Sequence, residues 1–210
     1  MATLHNNIER ALARYKPGDL IFPIDFRGEG SEGAIKMALS RLTKEEKIQR
    51  LAHGIYVKPK KDPLFGIIYP SAEVIAEAIA KKEKVRIKPA GAYALHKLGL
   101  TTQVPTKLVY LTDGAPRQIK VGNTFIKFKA TKPKKLATIG KISSLVIQAL
   151  EDINTIKIDA TSKERIKALL LKEDPKKLRH DLKLAPAKVN DYIVKLLKES
   201  TDDRMAKLNG

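Results

Sequence analysis

Cysteine is absent from the 210 residues, which removes any disulfide framework and any thiolate metal site. Long apolar runs are missing too. No stretch approaches the roughly 20 residues that a membrane-spanning helix needs. The opening Met1-Ala2-Thr3-Leu4-His5-Asn6 lacks the basic and then apolar regions of a secretory signal. A cytoplasmic chain with no membrane partner is therefore expected. Histidine is sparse: His5, His53, His96 and His180 lie far apart, with no His-x-x-x-His pair to hold a metal on a helix. Acids are scarce in the middle of the chain, where residues 64–150 hold only Glu73, Glu77, Glu83 and Asp113. Glu73 and Glu77 share a helix face, but a solvated helix edge explains them better than a metal site does. Neither an enzyme nor a cofactor is expected, and a nuclease related to restriction enzymes finds too few acids here.

What the chain has in excess is positive charge. Forty-one Lys and Arg stand against 23 Asp and Glu, a net +18. Residues 1–63 carry 12 basic and 8 acidic side chains, residues 64–150 carry 15 and 4, and residues 151–210 carry 14 and 11. Such an excess favours polyanions, because phosphate contacts release counterions and gain affinity without reading sequence. An RNA-binding or ribosome-associated protein would use it equally well. Single-strand readers, however, stack bases on exposed aromatics, and the 6 Tyr and 5 Phe fall mostly at apolar-phase positions.

Leu4, Ile8, Leu12 and Tyr15 recur at helical spacing, with Asn6 or Asn7 as the expected cap and Pro17-Gly18 as the stop. Leu20-Ile21-Phe22 suits a short strand, and residues 23–26 a short helix or turn. Ser31 then caps a helix over residues 32–42. At 100° per residue, Ala34, Ile35, Ala38, Leu39 and Leu42 share one side, while Gly33, Lys36, Met37, Ser40, Arg41 and Lys44 share the other. Two β-prone runs around Gly54 predict a hairpin. Lys58-Pro59-Lys60-Lys61-Asp62-Pro63 reads as a basic linker closing the first domain.

Beyond it, helices are predicted over 71–82, 92–98, 143–152, 162–172, 175–184 and 186–198, and strands over 85–87 and 107–111. A hairpin over 118–121 and 124–128 turns at Gly122-Asn123. Val74, Ile75, Ala78 and Ile79 are the expected apolar side of the first of these helices. The resulting fold class is α+β: a winged helix-turn-helix at 1–63, a basic mixed α/β domain at 64–150, and a helical tail at 151–210 packed on that domain. The last two tail helices fit a second helix-turn-helix pattern, but their exposed charges are mixed and suit packing better than phosphate.

The order helix, strand, turn, capped helix, hairpin is that of a winged helix, whose second long helix enters the major groove. Candidate DNA contacts are Arg27, Ser31, Lys36, Ser40, Arg41 and Lys44 around that helix, and Arg50, His53, Tyr56 and Lys58 on the wing. The partner is double-stranded DNA. Gly28-Glu29-Gly30-Ser31-Glu32-Gly33 spells G-x-G-x-x-G. A dinucleotide site would need a buried strand before it and a crossover to a parallel strand after it. The preceding segment contains Pro23 and a hairpin follows.

Ala38-Leu39-Ser40-Arg41-Leu42, then Gly54-Ile55-Tyr56, resembles the N-terminal domain of AbiEi-type antitoxins of type IV toxin–antitoxin systems. Gly91-Ala92-Tyr93-Ala94-Leu95-His96-Lys97-Leu98-Gly99-Leu100-Thr101, continuing to Pro105, resembles the start of that family's second domain. The resemblance runs over roughly residues 7–150, and Leu184-Ala185-Pro186-Ala187-Lys188-Val189 resembles the end of a basic subgroup. It implies a repressor of its own promoter. It also implies an antitoxin that opposes a nucleotidyltransferase toxin without a stable complex, with neutralisation in the second domain. The densest basic cluster there is Lys127, Lys129, Lys132, Lys134 and Lys135. Lys127 and Lys129 alternate with Ile126 and Phe128, so both project from one strand face. The resemblance makes their target acidic: the toxin's RNA substrate, its nucleotide, or a phosphorylated form of the toxin or its substrate.

Overall fold

A computed structural model of the chain describes residues 3–152 and 158–208, the last nine of these by backbone alone. The protein is mixed α+β. Two compact units emerge, Met1–Ile79 with Ile119–Thr124, and Ala80–Gln118 with Phe125–Gly210. Among the described residues no helix is long and apolar enough to cross a membrane.

In the first unit, α1 (Leu4–Leu12) starts one turn earlier than the asparagines suggested. Thr3 is the cap, its hydroxyl accepting the Asn6 N–H at 3.4 Å, and the earlier start brings Leu4 against the core. Thr and Asn serve this position almost equally well, so residue type alone does not choose between them. Strand β1 (Leu20–Ile21) leads into a 3₁₀ turn, Pro23–Phe26, where the Asp25 carboxylate accepts the Phe22 N–H at 2.9 Å. Burial, and then the neighbouring Asp25 charge, push the Tyr15 phenol up to about 12.

Helix α2 (Glu32–Lys44) begins at Ser31, whose hydroxyl accepts the Ala34 N–H. Its Ile35, Ala38, Leu39 and Leu42 close one core with Ile8, Leu12, Ile21, Phe26, Ile48 and Tyr56. Strands β2 (Gln49–Ala52) and β3 (Ile55–Val57) follow, joined at Gly54, whose φ of +69° is open to glycine at little cost. The antiparallel sheet runs β1-β3-β2, so β3 is central and all three of its residues are buried.

Where the sequence suggested a linker, β4 (Lys60–Asp62) pairs with β5 (Gly66–Ile68) in a separate hairpin. Asp62 makes its turn by accepting the Leu64 and Phe65 N–H groups, a local bond that charge and proline content do not reveal. Leu64 and Phe65 stand exposed at the tip.

The boundary between units falls inside α3 (Ala72–Glu83). This helix buries Ile75, Ala76, Ile79 and Ala80 and leaves Val74 half exposed, a stripe rotated by one residue from the expected side. The chain continues with β6 (Ile87–Ala90), α4 (Gly91–Lys97), β7 (Lys107–Thr112), β8 (Arg117–Val121) and β9 (Thr124–Ala130), all in the second unit but for Ile119–Thr124 at the tip of the β8–β9 hairpin. Helices α5 (Pro133–Leu136), α6 (Lys141–Asp152), α7 (Ala160–Leu170), α8 (Pro175–Leu184) and α9 (Ala187–Leu208) complete it. The sheet order is β6-β7-β9-β8. β6 and β7 are antiparallel, while β7 and β9 are parallel, with Val109 opposite Lys127 and Leu111 opposite Lys129.

On one side of this sheet Tyr93 meets Tyr110 edge to face, with centroids 5.3 Å apart, and Tyr110 stacks on Phe128 at 6.0 Å. The helices share a core in which Ala94 and Leu98 of α4 meet Val146 and Leu150 of α6, Ile166 and Leu170 of α7, and Val189 and Ile193 of α9. α4 ends at Gly99, where φ is +64° and a Cβ would lie 2.2 Å from the Arg165 guanidinium. That side chain donates to the Leu98 carbonyl at 3.0 Å and covers the helix end.

The start of α6 is bound by two carboxylates from far along the chain. Asp181, 0% exposed, accepts the Ile139 and Gly140 N–H groups at 2.8 and 2.9 Å and the Ser143 hydroxyl at 2.6 Å. Glu173 accepts the Ile142 and Ser143 N–H groups at 2.7 and 3.1 Å. Burial would raise both acids, but these bonds outweigh it, joined at Asp181 by one from His180, and hold both below the ordinary carboxylate range. Gly140 has no room for a side chain, since a Cβ would fall 2.0 Å from the Ser143 hydroxyl. Nearby, the half-buried Lys88 ammonium donates to Thr138 and to the Ser144 hydroxyl, and desolvation lowers its pKa.

Candidate nucleic-acid interface and a lysine-lined cavity

The first unit presents α2 edge-on to solvent. Gly33, Lys36, Met37, Ser40, Arg41 and Lys44 are all exposed, the side opposite the buried stripe. Lys36 pairs with Glu32 one turn earlier at 2.5 Å and lowers the pKa of that acid. Both side chains are solvated, so the pair is weak and easily exchanged. Ser40, Arg41 and Lys44 have no side-chain hydrogen bond or ion pair among the described residues, and Met37 is 59% exposed. A groove runs beside them, bordered by Met37, Ala38 and Arg41 of α2 and by Thr3, Leu4 and His5 of α1. Arg27 is exposed in the loop before α2, and Ser31 is exposed at its start with its hydroxyl engaged in the cap. On the hairpin, Arg50 donates to the Ala52 carbonyl at 3.3 Å from an exposed position, and His53 sits exposed at the turn.

Two expected contacts are not on this surface. Tyr56 is 5% exposed, because β3 is flanked by a strand on each side and its ring belongs to the core. Lys58 turns inward: its ammonium donates to the Leu12 and Tyr15 carbonyls at 3.1 and 2.8 Å and satisfies the open C-terminus of α1.

In the second unit the five-lysine cluster divides. Lys127 and Lys129 leave β9 on the face that also carries Val109 and Leu111 of β7, and they line a cavity of about 280 Å³ with Lys107. Lys135 reaches the cavity from α5 and is ion-paired to Glu151. Lys132 and Lys134 are exposed and do not line it. The opposite wall holds Glu151, Asp152 and the amide of Gln148, which is only 2% exposed. Asp152 also accepts the Gly91 N–H at 2.9 Å.

Lys107, Lys127 and Lys129 have no ion-pair partner among the described residues, so one concavity gathers three unpaired cations facing the carboxylates of Glu151 and Asp152. Lys107, Gln148 and Asp152 were not anticipated. Lys107 alternates with Leu108 as Lys127 does with Phe128, which is the signal that was present. The parallel pairing that unites the two alternations is not written in either strand.

This site and fold define a mixed α+β protein with one charged helix face and one charged cavity. Residues 7–178 match the model of the family described as "Family of unknown function (DUF6088)", and the chain belongs to that family. No curated protein matches the chain.

Proposed function

We propose that the chain is a sequence-specific DNA-binding repressor, its first unit a winged helix-turn-helix with α2 as recognition helix and the β2–β3 hairpin as wing. The observation that carries this reading is the exposed stripe of α2, with Lys36, Met37, Ser40, Arg41 and Lys44 on the side away from the core. The major groove is about 12 Å wide and admits one helix whose outward side chains meet base edges and phosphates. Arg41 supplies a planar fork suited to guanine, Met37 an apolar contact for a thymine methyl, and Lys36 and Lys44 phosphate partners. The AbiEi resemblance extends the proposal: the protein represses its own promoter and acts as a type IV antitoxin. It would oppose a nucleotidyltransferase toxin without a stable complex, through the lysines of the second unit.

A mobility-shift titration against the chain's own promoter and a scrambled duplex tests the first part. Specific binding is expected, falling steeply with salt, and Arg41→Ala should lose about 1–3 kcal/mol on the promoter alone. Equal affinity for both duplexes would remove the repressor reading. For the second part, Arg41→Ala should still protect cells that express the toxin, while Lys127→Gln with Lys129→Gln should not. The reverse outcome would make the second unit an accessory to DNA binding.

A further inference from the structure

The cavity between β7, β9 and α6 is better shaped for one small molecule than for a strand of nucleic acid. Along β9, Lys127 and Lys129 are separated by about 7 Å, the repeat of alternate residues in a strand. Lys107 stands on the same face of the neighbouring strand. It lies opposite Phe125, two residues from Lys127 and four from Lys129 in the register, so it adds positive charge to the cavity from further along the floor. The like charges of the adjacent Lys127 and Lys129 repel one another, and an anion with several oxygens relieves that repulsion. A phosphate can bridge these two, because each ammonium offers three donors on a flexible stem.

The rest of the lining is unsuited to phosphate alone. Val109 and Leu111 give the cavity an apolar floor, a surface that a bare inorganic ion would leave in contact with water. Gln148 provides a buried amide with both donor and acceptor capacity. Asp152 and Glu151 place carboxylates across from the lysines, where they would repel a continuous phosphate backbone but accept hydroxyl donors. A phosphate at one end, hydroxyls beside it and a flat apolar body with polar edges describe a nucleotide. The volume of about 280 Å³ lies just below the usual range of ligand pockets and holds one such unit.

We propose that this cavity binds a single nucleotide, with its phosphate on Lys127 and Lys129, its base over Val109 and Leu111, and Gln148 reading the base edge. The inference rests on the reading of this lysine face as anion-binding, and it is independent of operator recognition.

Calorimetry on the full chain without DNA tests it, using adenosine 5′-monophosphate, ribose 5-phosphate, adenosine, inorganic phosphate and a six-residue oligouridylate as probes. Saturable one-to-one binding of adenosine 5′-monophosphate is expected, at least about tenfold tighter than adenosine, which lacks the charge-assisted contacts, and than inorganic phosphate, which lacks the buried base. Lys127→Gln with Lys129→Gln should weaken it about tenfold or more, while Lys132→Gln with Lys134→Gln should leave it within about twofold. Because the first pair lies within a strand of the sheet, the unaltered protein supplies a second readout: the side-chain amide resonance of Gln148 should move as the mononucleotide is added. A mononucleotide that binds no tighter than inorganic phosphate, an unmoved Gln148 amide, or an oligouridylate that outcompetes the mononucleotide would each overturn the proposal, the last replacing it with a strand-tracking groove. Failure of promoter binding would leave all of these results untouched.

Discussion

The first unit carries Lys36, Arg41 and Lys44 on the outside of a helix whose other side is sealed, while Lys58 turns inward and is consumed in finishing α1. The second unit carries lysines on a strand face roofed by a helix, so they converge on a cavity. A convex row of cations can follow a long polyanion, and a concave set selects a small one. The same residue type, in one chain of net +18, is thus displayed in two different geometries.

The strongest way to break this comparison is to disable one unit without the other. Asp181→Asn puts an NH₂ group among donors at the start of α6, and should cost about 3 kcal/mol of stability in the second unit. Hydrogen exchange should show Val146 and Leu150 losing protection while Leu39 and Leu42 keep theirs. Equal losses at both sets would mean that the units are not separately stable.

Acid should do the same thing by titration. Both carboxylates are held below their ordinary values of 3.8 and 4.5, so their stabilisation is complete above that range and disappears as pH falls through their folded-state values. Protection of α6 is therefore expected to be undiminished at pH 5 and to fall well below pH 4.

A smaller effect sharpens the account of the first unit. Lys58→Met should lower its stability by about 1–2 kcal/mol through the lost bonds to α1. The salt dependence of DNA binding should stay as it was, since that ammonium does not face a phosphate. A flattened slope with unchanged melting would return Lys58 to the interface.

The smallest effect separates the two basic surfaces directly. Lys44→Ala should reduce the log–log salt slope of promoter binding by about 0.9, the worth of one phosphate contact. Lys134→Ala should leave that slope unchanged. Identical changes would merge the two surfaces into one.

Much of the first unit was legible because its signals are local. The 3.6-residue period put Ile35, Ala38, Leu39 and Leu42 of α2 on the buried side and Lys36, Met37, Ser40, Arg41 and Lys44 on the exposed one, Ser31 announced the helix start, and Gly54 announced the turn. Tyr56 and Lys58 were misread because their surroundings come from elsewhere: β1 covers one edge of β3, and the end of α1 supplies the carbonyls. In β9 the alternation of lysine with Ile126 and Phe128 was readable, and both apolar partners are buried. The cavity was not, since it depends on a parallel neighbour and on α6, which no periodicity specifies. The capping of α6 was hidden for the same reason, as Asp181 lies in a segment that reads as a polar helix and Glu173 in the turn before it.

That capping has a consequence for how the protein is made. Asp181 lies 42 residues beyond Ile139, the first amide it accepts. At about 5–20 residues per second, a ribosome needs about 2–8 s to deliver it after α6 begins to emerge. Through that interval Val146, Ile147 and Leu150 lack α9, and for most of it α7 as well, while the first unit has every strand and helix of its own core. The nascent chain thus passes through a stage with a finished head and an open, apolar second half, and it closes only when the last helices leave the tunnel.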